Sequence, residues 1–460
     1  MTRTAYAHFI GIGGAGMSGI AKVLHDRGVR VTGSDLKESR YARALSEAGI
    51  PVFIGHDAEN LGDPEVVVVS SAIPETNPEL AAARARGIEV WPRAKMLARL
   101  AGEDVTLAVA GTHGKTTTSS MLACVLEGTG NDPTFLIGGE LNDMGANARC
   151  GEGGYYVVEA DESDGSFLFL EPHLSIVTNM EADHLDHYAS FQDIVDTFGD
   201  FVRRTPEDGC VVVCADDQGL VDLARRSARC RVVTYGMSAE ADVRCDGLRP
   251  VGGGHEFEVR VPGGAPVAAS VAVPGAHNVV NATGVIAAVW ALGLDVPAAA
   301  AALAGFSGVR RRFERVGEVQ GVIVVDDYAH HPTEVRATLQ AARAAGHERI
   351  WVVFQPHRYS RTRLLAEDFG AAFGEADRVV LMDVYGAGEV PVPGVSGKTL
   401  LDAILLHDRR AQVAYFPHRT DIEGYVVPRV RPGDLVMTMG AGDVTTIGGE
   451  LVRALDAVRS

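Results

Sequence analysis

Short, almost wholly apolar runs followed by glycine or polar groups, and then by residues with helical spacing, recur along this chain. Tyr6–Ile10, Val29–Ser34 and Val66–Ser71 predict strands buried on both faces of a parallel sheet, with helices between them. Gly11-Ile12-Gly13-Gly14-Ala15-Gly16-Met17 separates the first strand from a helix running through Leu24, and the second strand ends in Ser34-Asp35. This is the order of a dinucleotide-type βαβ unit, with an acidic residue about 20 positions on where a ribose or base contact is expected. The other reading of the glycines is a tight turn. Val66–Ser71 ends in Ser70-Ser71, at the carboxyl end of a strand, where open α/β sheets bind ligands. Val90-Trp91-Pro92 and a short helix then lead to a boundary near residue 104.

The most informative stretch follows. Val105–Ala110 is apolar and runs into Gly111-Thr112-His113-Gly114-Lys115-Thr116-Thr117, which opens a helix. Strand, glycine loop and helix in that order place backbone N–H groups and a helix N-terminus around a polyphosphate. Lys115 is then expected on the β/γ-phosphates and the Thr116 hydroxyl on Mg²⁺. The loop is shortened, because Val109 stands where the common pattern has its first glycine.

Beyond the loop, Tyr155–Glu159 runs into Ala160-Asp161-Glu162-Ser163-Asp164, and Leu174–Asn179 runs into Met180-Glu181-Ala182-Asp183-His184. Each strand delivers acidic or imidazole groups at its carboxyl end. Glu159 is a candidate Mg²⁺ ligand, since an ionised carboxylate there needs a cation. His184 is an unusual ligand for so hard an ion, and a structural histidine is the other reading. From about Ala241 to Val273 the texture changes to alternation with glycine breaks, which predicts a small antiparallel meander. His277, Asn278 and Asn281 open an Ala-rich helix, where they either contact a base or cap it.

A third α/β region begins near Phe313, after the basic run Arg310-Arg311-Arg312, with strands at Val322–Asp327, Ile350–Phe354, Arg378–Asp383 and Leu435–Met439. Its first strand ends in Asp326-Asp327-Tyr328-Ala329-His330-His331-Pro332-Thr333-Glu334, where imidazoles beside carboxylates suit proton transfer, or simply enter a helix at Pro332. Arg358 and Arg361, three apart, share a face if helical and then grip a carboxylate or phosphate.

Composition narrows the class. At 460 residues, two to four domains are expected, and 46% hydrophobic with 22% charged residues is ordinary for a globular chain. A net charge of −18 argues against a nucleic-acid partner. Six cysteines without CxxC pairs predict reduced thiols, and the absence of a signal core or membrane-length run predicts a soluble, cytoplasmic protein.

Taken together, HFIGIGGAGMSGIA, AGTHGKTTT, VVEADESD, TNMEADHLDHY, PGAHNVVNA, RRFE, DDYAHHPTE and FQPHRYSRT, in this order, resemble the Mur ligases of peptidoglycan precursor synthesis across essentially the whole chain. The resemblance implies three domains in series. A Rossmann-like domain (1–104) holds the UDP-sugar, a central P-loop domain (105–312) with a parallel sheet plus a small antiparallel sheet holds ATP, and a Rossmann-like domain (313–460) brings the amino acid and closes. It assigns Gly111 to Thr117, His277, Asn278, Asn281 and Arg312 to ATP, and Thr116, Glu159 and His184 to Mg²⁺. Gly13, Gly14, Ala15, Gly16, Met17, Asp35, Ser70 and Ser71 fall to the UDP-sugar. Tyr328, His330, Arg358 and Arg361 fall to the amino acid, with Lys115, His330 and Arg358 nearest the chemistry. Many members carry a carbamylated lysine after the DH motif. From Leu185 to Pro206 this chain has no lysine, as in the alanine-adding branch, whose reaction joins L-alanine to the lactyl carboxylate of UDP-N-acetylmuramate with ATP and Mg²⁺. Such an enzyme is expected as a monomer or homodimer. The competing readings are the tripeptide-recycling branch, which tends to have Phe at the Tyr328 position, a UDP-sugar sensor without turnover, and a P-loop kinase acting on a small acid.

Overall fold

The protein is described here by a computed structural model over residues 4–70, 72–183 and 187–457. It is a three-sheet α/β structure. Two compact units are defined: Met1–Asp246 with Val259–Ala268 and Val280–Leu303, and Gly247–Glu258 with Ala269–Val279 and Ala304–Ser460. Among the described residues no helix is long and apolar enough to cross a membrane.

The first sheet holds β1 (Tyr6–Ile10), β2 (Arg30–Asp35), β3 (Val52–Ile54), β4 (Val66–Val69) and β5 (Glu89–Pro92) in the order β3-β2-β1-β4-β5. All its pairings are parallel. The chain steps to opposite sides of β1, so the loop after β1 sits at the point where strand order reverses, the place ligands occupy in such sheets. β1 is wholly buried, as its five-residue apolar run requires.

The second sheet contains β6 (Val105–Ala110), β7 (Thr134–Leu141), β8 (Ala146–Arg149), β9 (Tyr155–Glu159), β10 (Leu174–Val177), β11 (Cys210–Cys214), β12 (Arg231–Gly236), β13 (Val243–Val251), β14 (Gly254–Arg260) and β15 (Val267–Val271). Their order is β15-β14-β13-β12-β11-β10-β6-β9-β7-β8. β6 lies between β10 and β9, parallel to both. The expected meander is not a separate sheet but continues this one, because β12 pairs with β13 at Tyr235↔Val243. The third sheet, with β16 (Glu314–Val319), β17 (Val322–Asp327), β18 (Arg349–Phe354), β19 (Arg378–Leu381), β20 (Val413–Tyr415) and β21 (Asp434–Met439), runs β16-β17-β21-β18-β19-β20. Only β16 is antiparallel to its neighbour. All six cysteines are free thiols, and Cys210 and Cys214 are buried on β11 as their flanking valines predict.

A buried polar network fixes the far side of the first sheet. Glu79, in the first turn of the Pro78–Ala85 helix, accepts hydrogen bonds from the Asp57 N–H (3.1 Å), Asn60 Nδ2 (3.0 Å) and the Ser34 hydroxyl, and meets His8 Nε2 at 3.3 Å. Burial alone would raise this carboxyl. The His8, Ser34 and Asn60 hydrogen bonds outweigh it and hold the group down at about 2. A depressed carboxyl adds stability above its unfolded value, and that stability is lost as pH falls through the folded one. Glu79→Gln is therefore expected to cost about 3 kcal/mol at pH 7 and less than about half of that at pH 3. Urea unfolding at the two pH values checks this; an equal loss at both would sink it.

Candidate active site

The loop after β1 is held by its neighbours. Gly11 and Ile12 donate their N–H groups to the Ser34 carbonyl (2.8 and 3.0 Å), Gly13 donates to Asp35 Oδ2 (2.9 Å), and the Ser39 hydroxyl donates to the Gly13 carbonyl (2.9 Å). A Cβ at Gly13 would lie 2.9 Å from both Asp35 Oδ2 and Ser39 Oγ, so glycine is required there. Gly14 caps the Ala15–Asp26 helix without any side-chain cap, which leaves N–H groups of the first turn facing outward. Asp35 thus shapes the loop. Ser70 packs on it, its Cβ 3.3 Å from where a Gly11 Cβ would be. The Met17 side chain is buried in the apolar core at 2% exposure, because its helix position faces the sheet. Ser71 lies outside the described residues.

The loop after β6 is braced from β10. Gly111 has φ +129°, and a Cβ on it would fall 2.1 Å from Thr178 Oγ1. The His113 N–H donates to Asn179 Oδ1 (2.8 Å), Asn179 Nδ2 and Thr178 Oγ1 donate back to the His113 carbonyl (3.0 and 2.6 Å), and the Glu181 N–H donates to Thr112 Oγ1 (2.9 Å). Gly114, left-handed at φ +82°, caps the Lys115–Gly128 helix and faces Asn281. Lys115 Nζ donates to the Gly111 and Thr112 carbonyls (2.6 and 3.1 Å) and to Glu162 Oε1 (2.9 Å). Burial would lower this ammonium, but Glu162 and then Asp161 keep it protonated, while burial pushes Glu162 upward. Thr116 Oγ1 donates to Glu159 Oε1 (3.0 Å), and the Gly138 N–H donates to the other oxygen, Oε2 (2.7 Å). Thr117 follows in the same first helical turn, part-buried. His184 lies outside the described residues.

The second unit carries the remaining candidates. His277 is exposed in the first turn of the Ala276–Ala291 helix, and desolvation, then Arg312 and His255, lower its imidazole below the ordinary value. Asn278 Nδ2 donates to the Pro274 carbonyl (2.7 Å). Arg311 and Arg312 stack on the Tyr328 ring at 4.9 and 5.2 Å, Arg311 is paired with Asp326 (3.0 Å), and Arg312 lies 3.8 Å from Glu334. Buried Asp327 rises to about 6, with Arg312 pulling against desolvation. His330 lies against Tyr328 and His357, ring centroids 5.2 and 5.6 Å apart, with Nδ1 3.0 Å from the Tyr328 carbonyl. The expected helix entry is also present: His331 caps Pro332–Ala344, and Glu334 accepts from the His330 and His331 N–H groups. Arg358 and Arg361 do not share a helical face. Arg358 is the cap, at φ +69°, its N–H donating to the Tyr385 carbonyl (2.8 Å), whereas Arg361 is inside the Tyr359–Leu364 helix and contacts His357 Nδ1 (3.3 Å).

Sequence reasoning missed Thr178 and Asn179 as loop braces, Gly138 and Glu162 as partners of the loop groups, and Arg93 and Asn147. The TN pair closing an apolar strand was the one available signal.

Two strand–glycine loop–helix motifs, the second with a lysine, a hydroxyl and a carboxylate at its mouth, define a nucleotide-binding α/β protein with a P-loop ATPase centre. The chain matches the Mur ligase family catalytic domain over residues 6–104, the Mur ligase middle domain over 109–289 and the Mur ligase glutamate ligase domain over 311–442. It is 52% identical to the UDP-N-acetylmuramate–L-alanine ligase of Rubrobacter xylanophilus, over 97% of this chain and 99% of that protein. Among solved structures it is similar to UDP-N-acetylmuramate-alanine ligase MurC from Thermotoga maritima (TM-score 0.82, 31% identity, 98% of this chain and 99% of that one). It is also similar to a murein peptide ligase from Psychrobacter arcticus (TM-score 0.73, 26% identity, 98% of this chain). The chain belongs to the Mur ligase family.

Proposed function

We propose that this protein is an ATP-dependent ligase that joins L-alanine to the lactyl carboxylate of UDP-N-acetylmuramate, yielding UDP-N-acetylmuramoyl-L-alanine, ADP and phosphate in the cytoplasm. The observation that carries the reading is that residues of both glycine loops' surroundings, Ala15 and Gly16 on one side and Glu159 on the other, line one small cavity. A sugar nucleotide on the first loop and a triphosphate on the second would meet there. The division at 1–104, 105–312 and 313–460 into UDP-sugar, ATP and amino-acid domains is part of this reading.

Lys115 and the loop N–H groups bear on the β/γ-phosphates, with His277, Asn278, Asn281 and Arg312 toward the nucleoside. Thr116 and Glu159 present two hard oxygens 3.0 Å apart, a donor set that fits Mg²⁺, which when bound would offset charge on the phosphoryl oxygens. A lactyl carboxylate oxygen attacks the γ-phosphorus and ADP departs, leaving an acyl phosphate. The neutral amine of L-alanine attacks the acyl carbon and phosphate leaves. Arg358, Arg361 and Tyr328 are assigned to the amino acid's carboxylate, and His330 to the ammonium proton, since a weakly basic imidazole suits that transfer near neutral pH.

Phosphate release is expected to depend on L-alanine when ATP, Mg²⁺ and UDP-N-acetylmuramate are present, with a product heavier by one alanine residue. The murein peptide ligase relative makes the tripeptide L-Ala-γ-D-Glu-diaminopimelate the acceptor to compare. Preference for the tripeptide would move the protein to the recycling branch, and release without any acceptor would defeat the ligase reading.

A further inference from the structure

Arg93 opens the Arg93–Arg99 helix of the first sheet's domain and is only part-buried, yet its guanidinium makes no hydrogen bond or ion pair with any described residue. It is nevertheless held in place. It lies over the loop after β1, so that a Cβ at Gly16 would fall 2.6 Å from Nη1, 3.5 Å from Cδ and 3.6 Å from Cζ. Glycine at position 16 is what lets an arginine cross the start of the Ala15–Asp26 helix. The same side chain lines a cavity of about 80 Å³ together with Ala15, Gly16, Gly138, Glu159 and Asp161. One wall is therefore a glycine loop with a guanidinium on it, and the other is the acidic end of β9. The charge of Arg93 faces that wall across the cavity.

Charge balance says what this cation is for. The β9 wall brings Glu159 and Asp161, and a triphosphate on the second loop would add further negative charge, only part of which a Mg²⁺ held by Thr116 and Glu159 would offset. An acid approaching from the first loop enters a field that repels it. Lys115 is committed to the far side, at Gly111, Thr112 and Glu162. Among the residues lining the cavity Arg93 is the one cation. A guanidinium offers a planar pair of donors that matches a carboxylate and stays charged at any working pH.

We propose that Arg93 is the substrate-binding residue that receives the lactyl carboxylate of the sugar nucleotide and aims it at the γ-phosphate. This rests on the ligase reading above and adds to it the group that distinguishes the acid substrate from a neutral UDP-sugar. Since the same oxygens become the acyl phosphate, the contact persists into the product of the first step, where it offsets charge transferred from the nucleotide.

The test uses the full chain and two ligands that differ at the lactyl group, UDP-N-acetylmuramate and UDP-N-acetylglucosamine, titrated calorimetrically. The unaltered protein is expected to prefer the acid by at least about tenfold, the scale of one charge-assisted hydrogen-bonded contact. In Arg93→Gln the preference collapses toward unity while affinity for UDP-N-acetylglucosamine is kept, which also shows that the variant is folded. Arg93→Ala is the second variant and should behave alike. The inference is overturned if the preference survives in both variants, if both ligands weaken equally (a diphosphate contact), or if the unaltered protein shows no preference. L-alanine-dependent turnover of the unaltered protein is measured alongside. Turnover with an undiminished preference in Arg93→Gln rejects this inference alone, whereas absence of turnover rejects the ligase reading.

Discussion

Replacing Lys115 with alanine is expected to lower L-alanine-dependent phosphate release by about 10³-fold while leaving UDP-N-acetylmuramate affinity within about twofold of the unaltered chain. The reasoning is geometric. Lys115 leads the helix that follows the second glycine loop, and its ammonium is held in the loop mouth by two loop carbonyls and Glu162. Phosphoryl transfer involves little covalent chemistry by the protein, so a fixed cation at the phosphates is a large share of what the protein contributes. The first glycine loop shares none of those contacts, being held by Ser34, Asp35 and Ser39. Single-turnover phosphate release and a sugar-nucleotide titration on one preparation separate the two effects. Unchanged turnover would remove the ATP assignment, and a parallel loss of sugar-nucleotide affinity would point instead to damage spread through the domain.

The second large effect is expected at Glu159. Glu159→Gln keeps the side chain's shape and one oxygen to accept from the Gly138 N–H, but removes the charge and the second acceptor that Thr116 uses. A hard dication bound through one hydroxyl and one carboxylate loses its anionic ligand, so the Mg²⁺ concentration for half-maximal activity should rise at least about tenfold and the limiting rate fall about 10²-fold. A Mg²⁺ titration of the variant reads both. An unshifted half-saturation would take Glu159 out of the cation's shell.

Both glycine loops were legible in the chain because each is a local pattern: a buried strand, glycines at positions where side chains are excluded, then a helix. Gly111 illustrates why such a pattern is reliable, since its positive φ and the Thr178 hydroxyl behind it leave no other residue type. What surrounds the loops was not legible. Asn147 meets Ala15 across 132 residues and Thr116 meets Glu159 across 43, and nothing local announces which distant polar group will arrive. Arg93 was hidden for the same reason, as one basic residue at an ordinary helix start. Two strands of the third sheet were also missed. β16 is a polar edge strand and β20 has three residues, too little of either for a periodic signal. The reading of Arg358 and Arg361 as a helical pair failed because Arg358 has left-handed backbone, pinned by Tyr385 from the next strand's loop.

The β7–β8 hairpin has a structural consequence. Its first strand holds Glu159 through the Gly138 N–H, and its second holds the first glycine loop through Asn147 Nδ2 to the Ala15 carbonyl (3.0 Å), with Ala148 packed where a Gly19 Cβ would be. The two strands are themselves cross-linked at Phe135↔Arg149 and Leu136↔Ala148. The same ribbon therefore ties the Glu159 carboxylate at the end of β9 and the first turn of the Ala15–Asp26 helix into one hydrogen-bonded unit, so the geometry of the two is set by a single short stretch of chain, Gly138 to Asn147.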